Sequence, residues 1–271
     1  MRGFRSMPTT TSAPTLSIVV PVYNEVETLP RILGEVVMHG PRVKTEIIVV
    51  DDGSTDGTRD WLRSFLAVEE ERGVAVDVDP NGRLCLASQT APQPHAVLLR
   101  IKLQASNQGK GAALRAGFEM ARHDVIVIQD ADLEYDPRDL PRMFSLIAER
   151  GADVVYGSRF YGQPHRSLYL HHYLGNWLIS RLINVLCNAT LSDIEVCYKM
   201  FRRDVLNGMS LRCDDFGFEV EFTVKMLRAR KWSVYEIGIS YYGRTYDEGK
   251  KIGWRDGLKA LWYIIRFRIS A

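Results

Sequence analysis

The chain has 271 residues, 46% hydrophobic and 25% charged, with a formal net charge of +2. That balance is usual for a soluble globular protein and the length suits one large domain or two small ones. It excludes a global field for nucleic acid. No run approaches the ~18 apolar residues that read as a membrane span, and the opening "MRGFRSMPTTTSAPT" lacks the apolar segment of a signal peptide and is expected to be a loose tail.

"LSIVVPVYN" is a short β-branched run stopped by Pro21, so a strand is expected there. Glu27 to His39 has helical spacing, with Leu29, Ile32, Leu33 and Val36 on one face. "EIIVVDDGSTDG" reads as a second buried strand ending in acid and glycine, and Thr58 to Glu71 as a helix. Residues Glu69 to Pro94 turn acidic, then rich in Pro, Asn, Gly and Gln around a hairpin-like "GRLCLAS", and are expected to be a surface insertion. A strand near Ala96 to Leu103 leads to "NQGKGAALRAGFEMAR", a glycine loop opening a helix. "DVIVIQD" gives a strand, "PRDLPRMFSLIAER" a helix and "ADVVYGS" a strand. Strands alternating with amphipathic helices predict an α/β fold, a Rossmann-like, mostly parallel sheet with helices on both faces.

The second half is less regular. "SLYLHHYLGNWLISRLINVLCN" and Phe218 to Arg230 have helical spacing. The tail "GWRDGLKALWYIIRFRIS" mixes Trp254, Leu258, Leu261, Trp262 and Ile265 with Arg255, Lys259, Arg266 and Arg268. It fits either a bilayer interface or a terminal helix packed on the domain. Residues 16–250 are expected to form one domain and 251–271 an amphipathic helix. Cys85, Cys187, Cys197 and Cys213 have no CxxC spacing and read as reduced thiols. The protein is therefore expected to be cytoplasmic, in solution or peripheral on the cytoplasmic face of a membrane.

In sheets of this kind ligands sit at the carboxyl ends of the strands. Three polar clusters fall there: Tyr23-Asn24-Glu25, Asp51-Asp52 and Asp130-Ala131-Asp132. Residues two apart in an extended strand share a side, so Asp130 and Asp132 are expected to aim at one point. Such a pair is costly unless a proton or cation lies between them, and Mg²⁺ or Mn²⁺ carrying a diphosphate would relieve it. The competing reading is a turn, with Asp132 or Asp136 capping a helix from Pro137. Asp51 or Asp52 can accept hydrogen bonds from a base or ribose, or the stretch is a turn in which Ser54, Thr55 or Asp56 caps the next helix. In "NQGKGAALRAG", Leu114 occupies the third glycine position of the dinucleotide fingerprint and no Walker sequence is present. Lys110 at the helix start remains a candidate anion contact.

"SIVVPVYNEVETL", "IIVVDDGSTDGT", "NQGKGAALRAG", "IQDADLEYDP" and "GSRF", in this order, resemble the family 2 glycosyltransferases, and among them the dolichyl- and polyprenyl-phosphate sugar synthases. The resemblance runs from about Leu16 to Ile269, leaving out Glu69–Pro94. It implies a GT-A fold, a nucleotide-diphosphate sugar donor and a divalent metal. Pro21, Tyr23, Glu25 and chiefly Asp52 would hold the nucleoside. Asp130 would contact the donor, and Asp132 and Glu134 would bind the metal. Arg159 would face the acceptor phosphate, joined by Arg244, Lys250, Lys251 and, by a looser match, Arg166.

Relatives acting on sugar hydroxyls carry a Glu-Asp base motif, whereas "DDFGFEVE" has acids at other spacing. A hydroxyl nucleophile needs a base. A lipid monophosphate, with a second pKa of roughly 6, does not. The expected acceptor is therefore a polyprenyl or dolichyl phosphate, with a soluble or saccharide acceptor as the alternative. A sugar-phosphate nucleotidyltransferase would need a basic, glycine-rich loop where "PVYNEVETL" is acidic, and a degenerate nucleotide-sugar sensor would not need intact acidic clusters.

Overall fold

A computed structural model describes residues 13–66, 73–87, 97–162, 164–166, 169–244, 259, 262–264, 266 and 267. Nine strands form one sheet: β1 Leu16–Val22, β2 Thr45–Asp51, β3 Val74–Val78, β4 Leu84–Leu86, β5 Val97–Leu103, β6 Val125–Ile128, β7 Val154–Ser158, β8 Lys199–Arg202 and β9 Val234–Gly238. Their order across the sheet is β4-β3-β5-β2-β1-β6-β8-β7-β9. β5, β2, β1 and β6 run parallel, as do β7 and β9. Every residue of β1, β2, β6 and β7 is buried, which requires cover on both faces.

Helices accompany the sheet, among the described residues α1 Leu29–His39, α2 Thr58–Leu66, α3 Lys110–Met120, α4 Leu140–Arg150, α5 Leu170–Cys187 and α6 Gly217–Arg228. α3 packs on β1 and β2, and α4 on β7 and β8. Phe201 of β8 stacks edge-on against Phe118 of α3 at 5.7 Å and lies 4.9 Å from Phe222 of α6. That cluster fixes α6 against the sheet, since such aromatic pairs add about 1 kcal/mol each beyond area burial.

The sheet is mostly parallel, as expected, with antiparallel pairings added: after β7 the chain leaves through α5 and returns as β8, which inserts antiparallel between β6 and β7. Its descending approach, residues 193–198, therefore passes the carboxyl end of β6. The segment expected as a surface insertion contributes β3 and β4, an antiparallel hairpin that extends the sheet beyond β5. Period-2 alternation is weak there because the hairpin edge is only partly buried.

Pro21 sits inside β1 without breaking the ladder. The pairing of β1 with β6 ends at Val19, two residues earlier. Pro21 is paired only with β2, opposite Val50, and its missing N–H falls on the side where the pairing with β6 has ended, so no ladder bond is lost.

Candidate active site

The carboxyl ends of β1, β2 and β6 are stitched together by side chains. The Asn24 N–H donates to Ser54 Oγ (2.9 Å), and the Thr55 N–H to Asn24 Oδ1 (2.8 Å). Asp51 is fully buried, and its Oδ2 takes Arg59 Nε at 2.8 Å, so it latches β2 to α2. Asp56 takes the N–H and hydroxyl of Thr58 at the start of α2. The capping reading thus holds for much of "DDGSTDGT". Asp52 accepts the backbone N–H groups of Gln108 (2.7 Å) and Gly109 (2.8 Å), which pins the glycine loop to the end of β2. Burial pushes its carboxyl pKa up against the pull of those two amides, and Asp51 adds to the push.

The glycines of that loop serve close approach. Gly109 lies at φ 99, and a Cβ there would sit 2.3 Å from the Asp214 carbonyl oxygen. The same carbonyl accepts the Gly111 N–H at 2.7 Å and the Ala112 N–H at 3.2 Å. The chain's own backbone therefore occupies the N-terminus of α3, where an anion cradle was an alternative.

Strand alternation does not orient Asp130 and Asp132. β6 stops at Ile128, and both carboxylates lie in the bend beyond it, so strand alternation no longer applies. Each has its own cation. Lys110 Nζ is 2.9 and 3.0 Å from the two Asp130 oxygens. Arg244 Nη2 lies 3.7 Å from Asp132 Oδ2, and its Nε donates to the Asp132 carbonyl. Asp132 Oδ1 takes the Glu134 N–H across Leu133, a non-glycine residue at φ 62. Strain of this kind costs about 1–3 kcal/mol and gathers at functional sites. Asp136, not Asp132, caps the 3-10 turn at Pro137.

Arg244 ties the crevice together. Its Nη2 is 3.1 Å from both Glu25 oxygens, and its backbone N–H donates to Glu134 Oε1 at 2.8 Å. Glu134 Oε2 accepts the Tyr241 hydroxyl at 2.7 Å. Among the site residues expected from the sequence, Glu25, Lys110, Asp130, Asp132, Glu134 and Arg244 come together, with Tyr23 exposed at the end of β1. Arg159 stands apart, gripped by Asp193 through Nε at 2.6 Å and Nη2 at 2.7 Å. The Tyr241 ring, 5.2 Å from the Arg159 guanidinium, links the two groups. Arg166 bonds the backbone of Tyr241 and Gly243. Lys250 and Lys251 lie outside the described residues.

A divalent cation fits this donor set in one specific way. Among the described residues no three His, Cys, Asp or Glu side chains form a ready-made cage. Asp132 Oδ2 accepts no hydrogen bond among the described residues, only the long Arg244 contact. That leaves a hard oxygen for an ion that keeps waters and shares substrate phosphates, the usual habit of Mg²⁺. Both Glu134 oxygens already hold Tyr241 and Arg244, so Glu134 would have to exchange a partner to ligate.

Several site residues carried no sequence signal. Lys199 is fully buried, and its ammonium bonds Glu219 and the Val196 carbonyl. Glu219 also lies 3.5 Å from Lys110, giving a row Asp130–Lys110–Glu219–Lys199. Burial pulls the Lys110 pKa down, but Asp130, Cys197 and Glu219 outweigh it and hold the ammonium charged. Glu219 belongs to "DDFGFEVE" and reaches the site as the partner of Lys110 and Lys199.

Glu195 is the remaining acid of the 193–198 segment and has no hydrogen bond or ion pair among the described residues. Burial pushes its pKa up to about 7; Arg159 pulls it down, Asp193 and Glu219 push it further up, and Lys199 pulls back. A carboxyl raised in the folded state favours folding at low pH, and that contribution disappears as pH rises from about 4.5 through about 7. Glu195→Gln is therefore expected to be more stable than the wild type at alkaline pH, by on the order of 1–3 kcal/mol, and equal to it at acidic pH. Urea unfolding at the two extremes checks this; a pH-independent difference contradicts it.

Comparison with known proteins places the chain. Residues 17–91 and 93–209 match the family described as glycosyl transferase family 2. The chain belongs to that family. The match spans most of Glu69–Pro94, which the sequence resemblance had left out. This glycosyltransferase is 29% identical over 269 residues to the undecaprenyl-phosphate mannosyltransferase of Micrococcus luteus, covering 93% of this chain and 98% of that one. It is 29% identical to a low-salt glycan biosynthesis hexosyltransferase of Haloferax volcanii, with 90% of this chain but 52% of the relative aligned. It is 26% identical to the undecaprenyl-phosphate 4-deoxy-4-formamido-L-arabinose transferase of Proteus mirabilis, spanning 62% of its length. The fold is shared with glucosyl-3-phosphoglycerate synthase of Mycobacterium tuberculosis, solved with Mn²⁺, UDP and phosphoglyceric acid, at a TM-score of 0.65 and 16% identity over 94% of this chain and 79% of that one. The GT-A fold expected from the sequence is thus the fold of this glycosyltransferase.

Proposed function

We propose that this glycosyltransferase moves a hexose, with inversion, from a nucleotide-diphosphate sugar such as GDP-mannose, UDP-glucose or a UDP-HexNAc to a polyprenyl phosphate. The observation that carries the reading is the crevice in which Asp130 and Asp132 are each matched by a separate cation, Lys110 and Arg244. A diphosphate entering between them meets two positive groups, and a cation accompanying it meets two carboxylates. Relatives named for undecaprenyl-phosphate transfer support the acceptor class.

A second feature favours a lipid. One face of α5 exposes Leu170, Tyr173, Leu174, Trp177, Leu178, Leu182, Val185 and Leu186, with Leu170 70% and Val185 76% accessible. These positions recur at helical spacing, and apolar surface on that scale marks an interaction face. Arg181 lies on the same exposed stretch. No helix among the described residues is long and apolar enough to cross a membrane. α5 therefore suits lying in a bilayer interface, bringing the Arg159 side of the crevice to a lipid phosphate.

In this mechanism the acceptor phosphate oxygen attacks the anomeric carbon as the bond from that carbon to the diphosphate breaks. No proton has to move, because the acceptor is already anionic. Arg159, Arg244, Lys250 and Lys251 dock the acceptor, and Lys110 opposes charge developing on the leaving diphosphate. Tyr23, Glu25 and Asp52 border the nucleoside, beside Pro21. Asp132, with Glu134, would hold Mg²⁺ or Mn²⁺, which when bound supplies Lewis-acid stabilisation of the leaving group.

A saccharide or other hydroxyl acceptor is the second reading, favoured by Glu195, a carboxyl without a partner among the described residues and poised near neutral pH. Labelled GDP-mannose, UDP-glucose and UDP-N-acetylhexosamine, supplied with Mg²⁺ and with or without polyprenyl phosphate, separate the two. Label entering organic solvent only when the lipid is present is the expected result. Label transferred to added saccharide, with none extractable, supports the second reading, and no transfer from any donor contradicts both.

A further inference from the structure

A second concave site lies away from the carboxylate crevice. A cleft of about 700 Å³ opens between the loop after β8, the C-terminal end of α6 and residues 266 and 267. Because β8 runs antiparallel to β6, the chain after β8 lies at the opposite end of the strands from the crevice. Arg212, Lys225, Arg228, Lys231 and Arg266 line it, and among the described residues no carboxylate does. The whole chain carries only +2, so this concentration is local.

Part of the charge has a structural explanation. Lys225 and Arg228 stand in the last turn of α6, where the helix dipole favours cations. Lys225 bonds Glu221, which is buried behind it and also takes the backbone N–H of Arg212. Arg228 Nη1 donates to the Phe267 carbonyl at 2.8 Å. Arg212, Lys231 and Arg266 come from three other segments, and α6 does not account for them. Arg212 and Lys231 are exposed and make no ion pair among the described residues. Lys231 lies 4.3 Å over the Trp232 ring, and Arg266 lies 4.9 Å over Trp262. Those aromatic shelves keep like charges converging on one cavity. Guanidinium forks beside a lysine are the side chains that match phosphate oxygens.

We infer that this cleft binds a phosphate-bearing anion, independently of the sugar-transfer site. The phosphate has two sources, an anionic phospholipid headgroup or a free phosphate compound. Exposed Trp262, whose ring lies beneath the cleft residue Arg266, suits the depth of lipid headgroups.

Two arms test this with the full chain and no sugar donor. Co-sedimentation uses phosphatidylcholine vesicles with and without phosphatidylglycerol, and calorimetry uses inorganic tripolyphosphate. Arg212→Gln/Lys231→Gln is expected to weaken binding roughly thirtyfold, at about one tenfold-step-or-less per cation near a charged surface. Arg42→Gln/Lys44→Gln makes the same charge change at other exposed positions and is expected to stay within about twofold, because screening confines the effect to nearby charges. Binding confined to phosphatidylglycerol vesicles assigns the headgroup, and binding of tripolyphosphate assigns the free anion. No binding in either arm, or equal losses in the two double variants, overturns the site. Sugar transfer enters neither measurement, so the outcome is separate from that of the proposed activity.

Discussion

Asp132→Asn is expected to lower sugar transfer roughly a thousandfold, the scale of losing several kcal/mol of leaving-group charge stabilisation. The fold should survive. Asp132 is partly exposed, and its Oδ1 bond to the Glu134 N–H is one an asparagine oxygen can also accept. An unchanged thermal transition with lost transfer is the expected pair of results. Near-wild-type turnover in that variant would remove the metal role and leave Asp132 as a partner of Arg244.

The largest stability effect is expected at Asp193. It is fully buried, and its two oxygens bond Nε and Nη2 of Arg159 and its Oδ2 the Arg159 backbone N–H. Burial lowers the Arg159 pKa, but Asp193 and the neighbouring Tyr135 and Tyr241 hold the guanidinium charged. Asp193→Asn keeps the shape and removes the charge, leaving a largely buried cation unpaired. Breaking such a pair costs about 3–5 kcal/mol, and the lower end applies because the Arg159 side chain is 18% exposed. Urea unfolding with a loss below about 1 kcal/mol would mean that water or a neighbour compensates the guanidinium. The same variant frees Arg159 for the acceptor, so acceptor KM and stability should move separately.

Residues whose role follows from local period were legible in the sequence. β1, β2, β6 and β7 and the helices after them fall where the apolar spacing places them, because each of these strands is buried throughout, and β5 falls where expected although only Leu99 of it is buried. β8 was not legible: four residues between two loops carry no periodicity that distinguishes a strand, and its position between β6 and β7 depends on tertiary packing. The acidic strand ends marked the crevice, but their partners did not show. Lys110 meets Asp130 across a loop-to-loop gap of 20 residues, and Arg244 meets Glu25 across 219. Lys199 and Glu219 each sit inside apolar runs and meet only because α6 packs near β8. Strand alternation does not set the directions of Asp130 and Asp132, since the strand ends two residues before the first of them. The terminal segment presented two readings; buried Ile264 and Phe267, with Tyr263 stacked against Gly217 of α6, follow the packed one for the described residues.

The central claim is that the carboxylates at the end of β6 grip a divalent ion that in turn grips a diphosphate. A crystal soaked with manganese and a nucleoside diphosphate tests it most directly through anomalous scattering. The predicted result is a manganese peak about 2 Å from an Asp132 carboxylate oxygen and bridging the diphosphate oxygens, with Arg244 moved off that oxygen. A bound nucleotide with no manganese at Asp132, and its carboxylate still turned to the Glu134 amide and Arg244, would contradict it.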